Sequence, residues 1–214
     1  MNLNRHRRVF DLWEAKKIHG DVLVLFDDIE SELIELIKIS TKIVGCVAWF
    51  TSPAVLRALV DKKVSIIVQK DPMFYPRSPK AKAISTNIKR LYQAITTRLT
   101  VNQSTPYFED IFADGSQLVD PFRLYGTIPK KSANAPRMHH KFLIFDDRIV
   151  WTGSFNITNN ATESLENVLV IKNEAVAKSY LKEYTSLLSG SMPLSWYSRT
   201  ILKVAKEKSE KIKD

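Results

Sequence analysis

The sequence has little cysteine, glycine and proline, and it has no long apolar run. Its one cysteine, Cys46, excludes a disulfide scaffold and a metal site built from cysteines alone. Six glycines and nine prolines in 214 residues exclude a collagen-like or low-complexity chain. The longest apolar run, residues 43–50, is much shorter than the roughly 18 residues that a membrane-spanning helix needs. Because residues 1–8 also lack the apolar segment of a signal peptide, we expect a cytoplasmic protein without stable membrane insertion.

The net charge of +9 is concentrated in two middle segments. Residues 62–98 carry nine basic side chains and one acidic side chain, and residues 121–141 carry five basic side chains and no acidic one. Clustered lysine and arginine favour a polyanionic partner, because their contacts with phosphates release condensed counterions. A solvated basic surface or a membrane of anionic lipids would account for the same charges.

Alternating strand and helix patterns indicate an α/β fold. Apolar runs predict strands at residues 22–26, 42–50 and 64–68, and helical periodicity predicts a helix at 29–40. Ser52 and Pro53 provide an N-cap and a first-turn proline for a second helix. Strands joined by such crossovers form a largely parallel sheet that helices cover on both faces.

The chain divides into three predicted regions. Residues 1–20 form an N-terminal extension, and residues 21–190 form a single domain. This domain contains a long basic insertion at about residues 72–136, with a predicted basic helix at 80–97. Residues 191–214 form a charged helical tail with too few apolar positions to belong to a core.

The segment with the most chemical information runs from residue 138 to residue 156. Its apolar pattern predicts a β-hairpin with the turn at residues 146–148. Because side chains alternate along a strand, His139 and Lys141 lie on one face, about 7 Å apart, and His140 lies on the other. A lysine in such an apolar strand is costly to bury unless it meets an anion.

A hydroxyl and a carboxamide follow this hairpin, and together with the imidazole and the ammonium they describe a phosphate site. A His-x-Lys pair alone is more typical of an ordinary edge strand. The full pattern, however, fixes six identities at fixed spacing, and at ordinary residue frequencies it arises by chance on the order of a few times in a million. The six residues are His139, Lys141, Asp146, Gly153, Ser154 and Asn156.

This pattern resembles the HKD signature of the phospholipase D superfamily. The segment from Glu166 to Val170 and the segment from Phe50 to Pro53 are similar to those of its small single-motif members, which include the bacterial endonuclease Nuc and the Zucchini-type mitochondrial cardiolipin hydrolases. The resemblance covers roughly residues 20–190. It implies an α/β/α sandwich with a mixed, largely parallel central sheet and one HKD motif per chain.

The resemblance also implies a role for each matching residue. His139 would be the nucleophile that forms a phosphohistidine, and Lys141 and Asn156 would bind the non-bridging phosphate oxygens. Ser154 would support the phosphate and the histidine, and Glu166 would orient the catalytic imidazole. Asp146 matches a mainly structural position, and His140 matches a variable one.

Members of this superfamily use two such motifs per active site, and this chain has one. The resemblance therefore implies a homodimer in which two His139 imidazoles meet, one attacking phosphorus and the other protonating the leaving oxygen. The two titrations would be coupled. No metal and no other cofactor is expected, because lysine and histidine provide the positive charge that Mg²⁺ provides elsewhere.

The motif leaves the phosphodiester substrate open. An endonuclease acting on DNA or RNA is favoured by the basic segments and by aromatic side chains that can stack on bases, namely Tyr75, Tyr92, Phe122 and Tyr125. The candidate nucleic-acid contacts are Arg137, Lys80, Lys82, Lys89, Arg90, Lys130 and Lys131. The alternatives are a hydrolase of phospholipid head groups or cardiolipin, with an apolar docking surface, and a binding module without activity.

Overall fold

A computed structural model of the chain describes residues 20–74, 86–95, 99–100, 118–127 and 136–194. The predicted basic helix is described only in part, and the N-terminal extension before residue 20 and the tail after residue 194 lie outside the described residues. In chain order, the elements are β1 (Val22–Leu25), α1 (Ile29–Ile39), β2 (Lys42–Val47), α2 (Pro53–Ala58), β3 (Lys63–Gln69), a 3₁₀ turn (Pro72–Phe74), α3 (Thr86–Ala94), β4 (Leu99–Thr100), β5 (Leu118–Val119), β6 (Phe122–Tyr125), β7 (Lys141–Phe145), β8 (Ile149–Gly153), α4 (Asn159–Thr162), β9 (Val168–Lys172), α5 (Glu174–Ser189) and β10 (Met192–Pro193).

Eight of the described strands form one mixed sheet in the order β1-β9-β8-β7-β2-β3-β6-β10. The α/β class and the mixed sheet are confirmed. Parallel pairing is limited to β2–β3 and β3–β6, so the sheet contains fewer parallel pairs than the strand–helix alternation suggests. The other pairs are antiparallel because β7 and β8 form a tight hairpin, and β1 pairs with β9 at one edge rather than with β2.

Helices cover both faces of this sheet. On one face, α1, α2 and α3 bury side chains such as Leu33 against Phe145 and other strand residues. On the other face, Tyr184 of α5 packs in a cluster with Val44 and Ile144. Each large aliphatic side chain buried in these layers contributes roughly 1.5–3 kcal/mol. The predicted α/β/α sandwich is therefore confirmed.

The local signals that begin α2 act as the sequence predicts. Ser52 lies at the N-cap in an extended conformation, and its hydroxyl accepts a hydrogen bond from the Val55 amide at 3.2 Å. Pro53 takes the first helical position, where its missing N–H costs nothing. This turn fixes the path of the chain after β2. It lies at the end of the sheet where His139 is found.

Candidate active site

Five of the six residues of the HKD pattern, all except Asp146, lie at one end of the sheet. Since β7 is antiparallel to both β2 and β8, the start of β7 lies beside the ends of these two strands. The amide of Ala48 donates to the carbonyl of His140 at 2.9 Å and extends the β2–β7 pairing past Lys141. The first residue of β9, Val168, pairs with Gly153 at the end of β8. The site is therefore built from four strand ends.

His139 and Lys141 are in direct contact. The ammonium Nζ of Lys141 lies 3.1 Å from Nδ1 and 3.3 Å from Nε2 of His139, and it donates to the His139 carbonyl at 2.8 Å. An ammonium can donate only to a ring nitrogen that carries no proton. The contact therefore favours a neutral imidazole, which is the nucleophilic form.

The electrostatic surroundings of His139 act in the same direction. Desolvation lowers the pKa of His139 below its usual value, and the nearby basic side chains of Lys141, Arg137 and His140 lower it further. Desolvation also lowers the pKa of Lys141, and the carboxylate of Glu166 partly opposes that shift. The site thus combines positive potential with an imidazole that resists protonation, which suits an anionic substrate.

Ser154 and Glu166 are joined by a hydrogen bond in which the serine hydroxyl donates to the carboxylate. The backbone amide of Asn167 donates to the same hydroxyl at 3.1 Å, and the amide of Ser154 donates to the Asn167 carbonyl at 3.0 Å. The resemblance implies that Glu166 orients the imidazole. Among the described contacts of this chain, Glu166 binds Ser154, whose backbone pairs with the adjacent Asn167, and the Lys141 ammonium lies against the imidazole ring.

Asn156 contributes a side chain whose oxygen has no hydrogen-bond partner in the described part of the chain. Its side-chain oxygen is buried and accepts no hydrogen bond within the described part of the chain. Its backbone is held in place, because the adjacent Ile157 donates to the Trp49 carbonyl at 3.1 Å. Buried polar groups are almost always hydrogen-bonded, so this oxygen is an exception that needs a donor, whereas the Nδ2 group of the same side chain is the part that can donate to a phosphate oxygen.

Asp146 and His140 lie away from this cluster, as the sequence predicts. Asp146 lies at the other end of β7, about 20 Å along the chain from His139. Its carboxylate accepts from the amides of Thr41 and Lys42 at 3.0 and 2.8 Å and so anchors the hairpin to β2. His140 points to the opposite face of the sheet, where its Nε2 lies 3.2 Å from the carboxylate of Glu183 on α5.

Gly153 is required by the close approach of β8 and β9. A Cβ atom at this position would lie 2.0 Å from the carbonyl oxygen of Asn167 and 2.9 Å from Cα of Val168. Both atoms belong to the backbone, so the strands would have to separate and the Ser154–Asn167 pairing would be lost. The glycine of the signature therefore has a steric role that places Ser154 against Glu166.

We expect Gly153→Ala to lower the free energy of unfolding by about 1–3 kcal/mol, because overpacking against backbone cannot be relieved by a side-chain movement. Urea unfolding followed by circular dichroism measures the change. Gly190→Ala is the matched control, since its Cβ would meet only the ring of Tyr125, a side chain that can shift. Equal stability of Gly153→Ala and the wild type would contradict the steric role.

The predicted nucleic-acid contacts are only partly described. Arg137 is exposed two residues before His139, close enough for its charge to affect that imidazole. Lys89 and Arg90 are exposed on α3, the helix whose Tyr92 hydroxyl donates to the carbonyl of Phe50 near the site. The others lie outside the described residues, namely Lys80, Lys82, Lys130 and Lys131.

Two aromatic side chains predicted to stack on bases belong to the core instead. Phe122 is 3% exposed, because β6 is an interior strand covered by α3. Tyr92 packs edge-to-face against Phe122 and Phe74. Tyr125 is half-buried beside α5, and Tyr75 lies outside the described residues. The stacking prediction is therefore wrong for Phe122 and Tyr92.

Trp49 is a site residue that the sequence analysis missed. Its ring lies edge-on to the imidazole of His139, with the centroids 5.3 Å apart and the planes at 81°. This contact arises because β2 pairs with β7, and no spacing within the HKD pattern signals it. Trp49 is half-buried, so it both supports the imidazole and forms part of the site's wall.

Comparisons with known proteins identify the family. Residues 33–188 match the family described as cardiolipin synthase, PLD-like domain. Because this match covers well over half of the chain, the chain belongs to the phospholipase D-like family, and the predicted superfamily is confirmed. Membership fits an enzyme of the phosphodiesterase type.

Relatives and solved structures agree with this assignment. Protein L381 of Acanthamoeba polyphaga mimivirus is 32% identical over 192 residues, which are 82% of this chain and 68% of that protein. The mitochondrial cardiolipin hydrolase of Xenopus laevis is 27% identical over 161 residues, which are 72% of this chain and 58% of that protein. Nuc from Salmonella typhimurium, a phospholipase D family member, has a similar fold with a TM-score of 0.51 at 22% identity, covering 79% of this chain and 95% of Nuc.

Two other features are absent from the described part of the chain. None of its helices is long and apolar enough to cross a membrane. No group of three or more histidine, cysteine, aspartate or glutamate side chains there is arranged to hold a metal ion.

Proposed function

We propose that this protein is a metal-independent endonuclease that hydrolyses DNA or RNA through a phosphohistidine at a site shared across a homodimer. The contact between the Lys141 ammonium and the His139 ring, which favours the unprotonated imidazole, carries the proposal. It holds a nucleophile in its reactive form beside the cation that a phosphodiester requires. Asn156, which the HKD resemblance matches to a phosphate contact, would add the Nδ2 donor of its carboxamide.

Substrate binding would release the nucleophile. A phosphodiester oxygen carries negative charge and is a stronger acceptor for an ammonium than a neutral ring nitrogen. Lys141 and Asn156 would therefore turn to the non-bridging oxygens, and an imidazole nitrogen of His139 would become free to attack phosphorus. The N–P bond forms as the bond between phosphorus and the leaving oxygen breaks.

The leaving oxygen needs a proton, and the one other imidazole in the described part of a protomer, that of His140, points to the opposite face of the sheet, towards Glu183. The partner's His139 would provide this proton across a twofold axis. It would then take a proton from the water that attacks phosphorus, the N–P bond would break, and both imidazoles would return to their starting states. The two histidines thus need opposite protonation states at the outset.

Positive charge at the site favours a nucleic acid over a lipid. His139 lies near the cations of Lys141 and Arg137, and two further exposed basic residues, Lys89 and Arg90, lie on α3. A polynucleotide carries negative charge on both sides of the scissile phosphate and can use cations beyond the reacting centre. We therefore expect low sequence specificity with affinity that falls steeply with salt.

Phospholipid hydrolysis is the second candidate, and an apolar feature near the site favours it. Leu165, directly before Glu166, is fully exposed, and Phe26, at the same end of the sheet, is 67% exposed. The cardiolipin hydrolase relatives point to the same substrate class. Exposed acidic side chains at Asp27, Asp28 and Glu163 flank these apolar residues, however, and they would repel an anionic membrane.

The experiment offers both substrate classes in excess EDTA. Supercoiled plasmid, single-stranded DNA and RNA are incubated with the wild type and with His139→Ala. Vesicles of cardiolipin and phosphatidylcholine are tested in parallel. Light scattering measures the molecular mass of the protein and so distinguishes monomer from dimer. We expect cleavage of nucleic acid by a wild-type dimer alone. If cardiolipin were cleaved and nucleic acid were not, the lipid hydrolase would replace the endonuclease as the proposed function. Full activity of a monomer would overturn the shared site.

The pH dependence of kcat/KM should report the lowered pKa of His139. Activity requires the unprotonated imidazole, so kcat/KM falls as the pH falls through that pKa. The midpoint of this fall, the acid limb of the profile, therefore lies below the usual pKa of histidine in the wild type. Arg137→Gln removes a cation that disfavours protonation, so the limb should move to higher pH. Arg57→Gln, on the exposed side of α2, is the control and should leave the limb in place. A shift in the opposite direction for Arg137→Gln would contradict this electrostatic account.

A further inference from the structure

Gln69, the last residue of β3, is a buried polar side chain close to the site. It is 2% exposed and lies where three stretches of chain meet: the end of β3, the loop after β6, and the segment that leads into β7. No pattern in the sequence marks Gln69 as a functional residue. Nothing in the chemistry proposed above uses it directly.

The carboxamide of Gln69 is fully used in hydrogen bonds. Its Nε2 donates to the carbonyls of Lys70 at 2.8 Å and Thr127 at 2.7 Å. Its Oε1 accepts from the backbone amide of Met138 at 2.7 Å. Two donors and one acceptor are needed here, and a carboxylate would place negative charge against two carbonyl oxygens.

These bonds fix the backbone on the N-terminal side of His139. The Met138 amide is bound by Gln69. The Met138 side chain is 4% exposed and packs in the cluster that contains Val44 and Ile144. On the C-terminal side, the His140 carbonyl is bound by the amide of Ala48 at 2.9 Å. His139 itself is exposed and has the Trp49 ring on one side, so its direction depends strongly on the backbone that carries it.

Gly126 leaves the space for this arrangement. Its φ of 86° lies in the left-handed region that favours glycine. A Cβ atom at this position would lie 2.6 Å from Oε1 of Gln69 and 3.1 Å from the Met138 amide nitrogen. The loop after β6 is thus shaped around the bond between Gln69 and Met138.

We propose that Gln69 is a positioning residue, which holds the backbone of Met138 so that the His139 imidazole is aimed at phosphorus. The inference rests on the proposed function of His139 as the nucleophile. A displacement of about 1 Å in a reacting group costs on the order of 100-fold in rate, so a backbone hydrogen bond one residue away is sufficient to control turnover.

The test is Gln69→Glu, assayed from about pH 5 to about pH 9, where buried carboxyl groups titrate. A protonated glutamic acid still accepts from Met138 and donates one hydrogen bond, whereas the ionised form faces two carbonyls. We expect kcat per folded chain, relative to the wild type, to be partly retained at low pH and to fall about 100-fold as the pH rises, with KM little changed. Gln93→Glu, on the exposed side of α3, should show no such fall.

Two further measurements keep the inference open to refutation. Hydrogen exchange of the Met138 amide should lose protection in Gln69→Glu at high pH, whether or not a substrate is known. Gly126→Ala keeps the glutamine but displaces it, and it should also lower kcat more than KM. The positioning role would be overturned if the kcat of Gln69→Glu relative to the wild type did not depend on pH. It would also be overturned if the Met138 amide of Gln69→Glu kept its protection at high pH. A wild type that cleaves no phosphodiester would instead overturn the proposed function.

Discussion

His139→Ala should lose turnover by at least about 10⁴-fold while still binding substrate, because removal of a nucleophile closes the covalent route altogether. Lys141, Asn156 and Arg137 would remain to hold the phosphodiester. The measurement is single-turnover cleavage of labelled single-stranded DNA, with binding followed separately by fluorescence anisotropy. Circular dichroism checks that the variant is folded.

The adjacent histidine is the matched control for this prediction. His140→Ala removes the same chemical group one residue away, on the opposite face of the sheet, where the ring contacts Glu183. We expect it to keep most of the turnover. Strong cleavage by a verified His139→Ala preparation would refute the nucleophile, and an equal loss in both variants would point to damage of β7 rather than to chemistry.

Lys141→Met should lower kcat by about 10³-fold, the size of effect seen when one donor to a developing negative charge is removed. The variant keeps the apolar stem and loses only the ammonium. A second, independent sign is expected in the pH profile. The Lys141 cation lowers the pKa of His139, so without it the acid limb should move to higher pH.

Lys42→Met is the control for the charge change. Lys42 begins β2 at the far end of the sheet, where its ammonium binds Asp147. It should leave kcat and the acid limb near those of the wild type. If Lys141→Met retained the wild-type kcat, the ammonium would have no part in binding the reacting phosphate, and the proposed site would be wrong.

Much of the fold follows from local patterns in the sequence. The hairpin of β7 and β8, the N-cap at Ser52 and the amphipathic α1 are encoded within a few residues, and each forms as predicted. The HKD spacing brings His139 and Lys141 together for the same reason, because they are two residues apart on one strand. Asp146 is likewise bound to the backbone of β2, in line with its expected structural position.

Features that depend on strand order cannot be predicted from local sequence patterns. The antiparallel β1–β9 pair, the edge contact of Trp49 with His139 and the bond between Glu166 and Ser154 all arise from pairings between distant segments. Phe122 was expected to be available for bases, but it is buried because β6 is an interior strand. A local pattern fixes which face a side chain takes, and only the sheet order determines what covers that face.

The most direct test of the central claim is to trap the covalent intermediate. Wild-type protein is mixed with bis(4-nitrophenyl) phosphate, a phosphodiester that favours neither nucleic acid nor lipid, and quenched in alkali, where a phosphohistidine survives. Mass spectrometry should find a 4-nitrophenyl phosphoryl group on the peptide that contains His139, and none in His139→Ala. Turnover with no modified peptide, or with the group on another side chain, would contradict a phosphohistidine at His139.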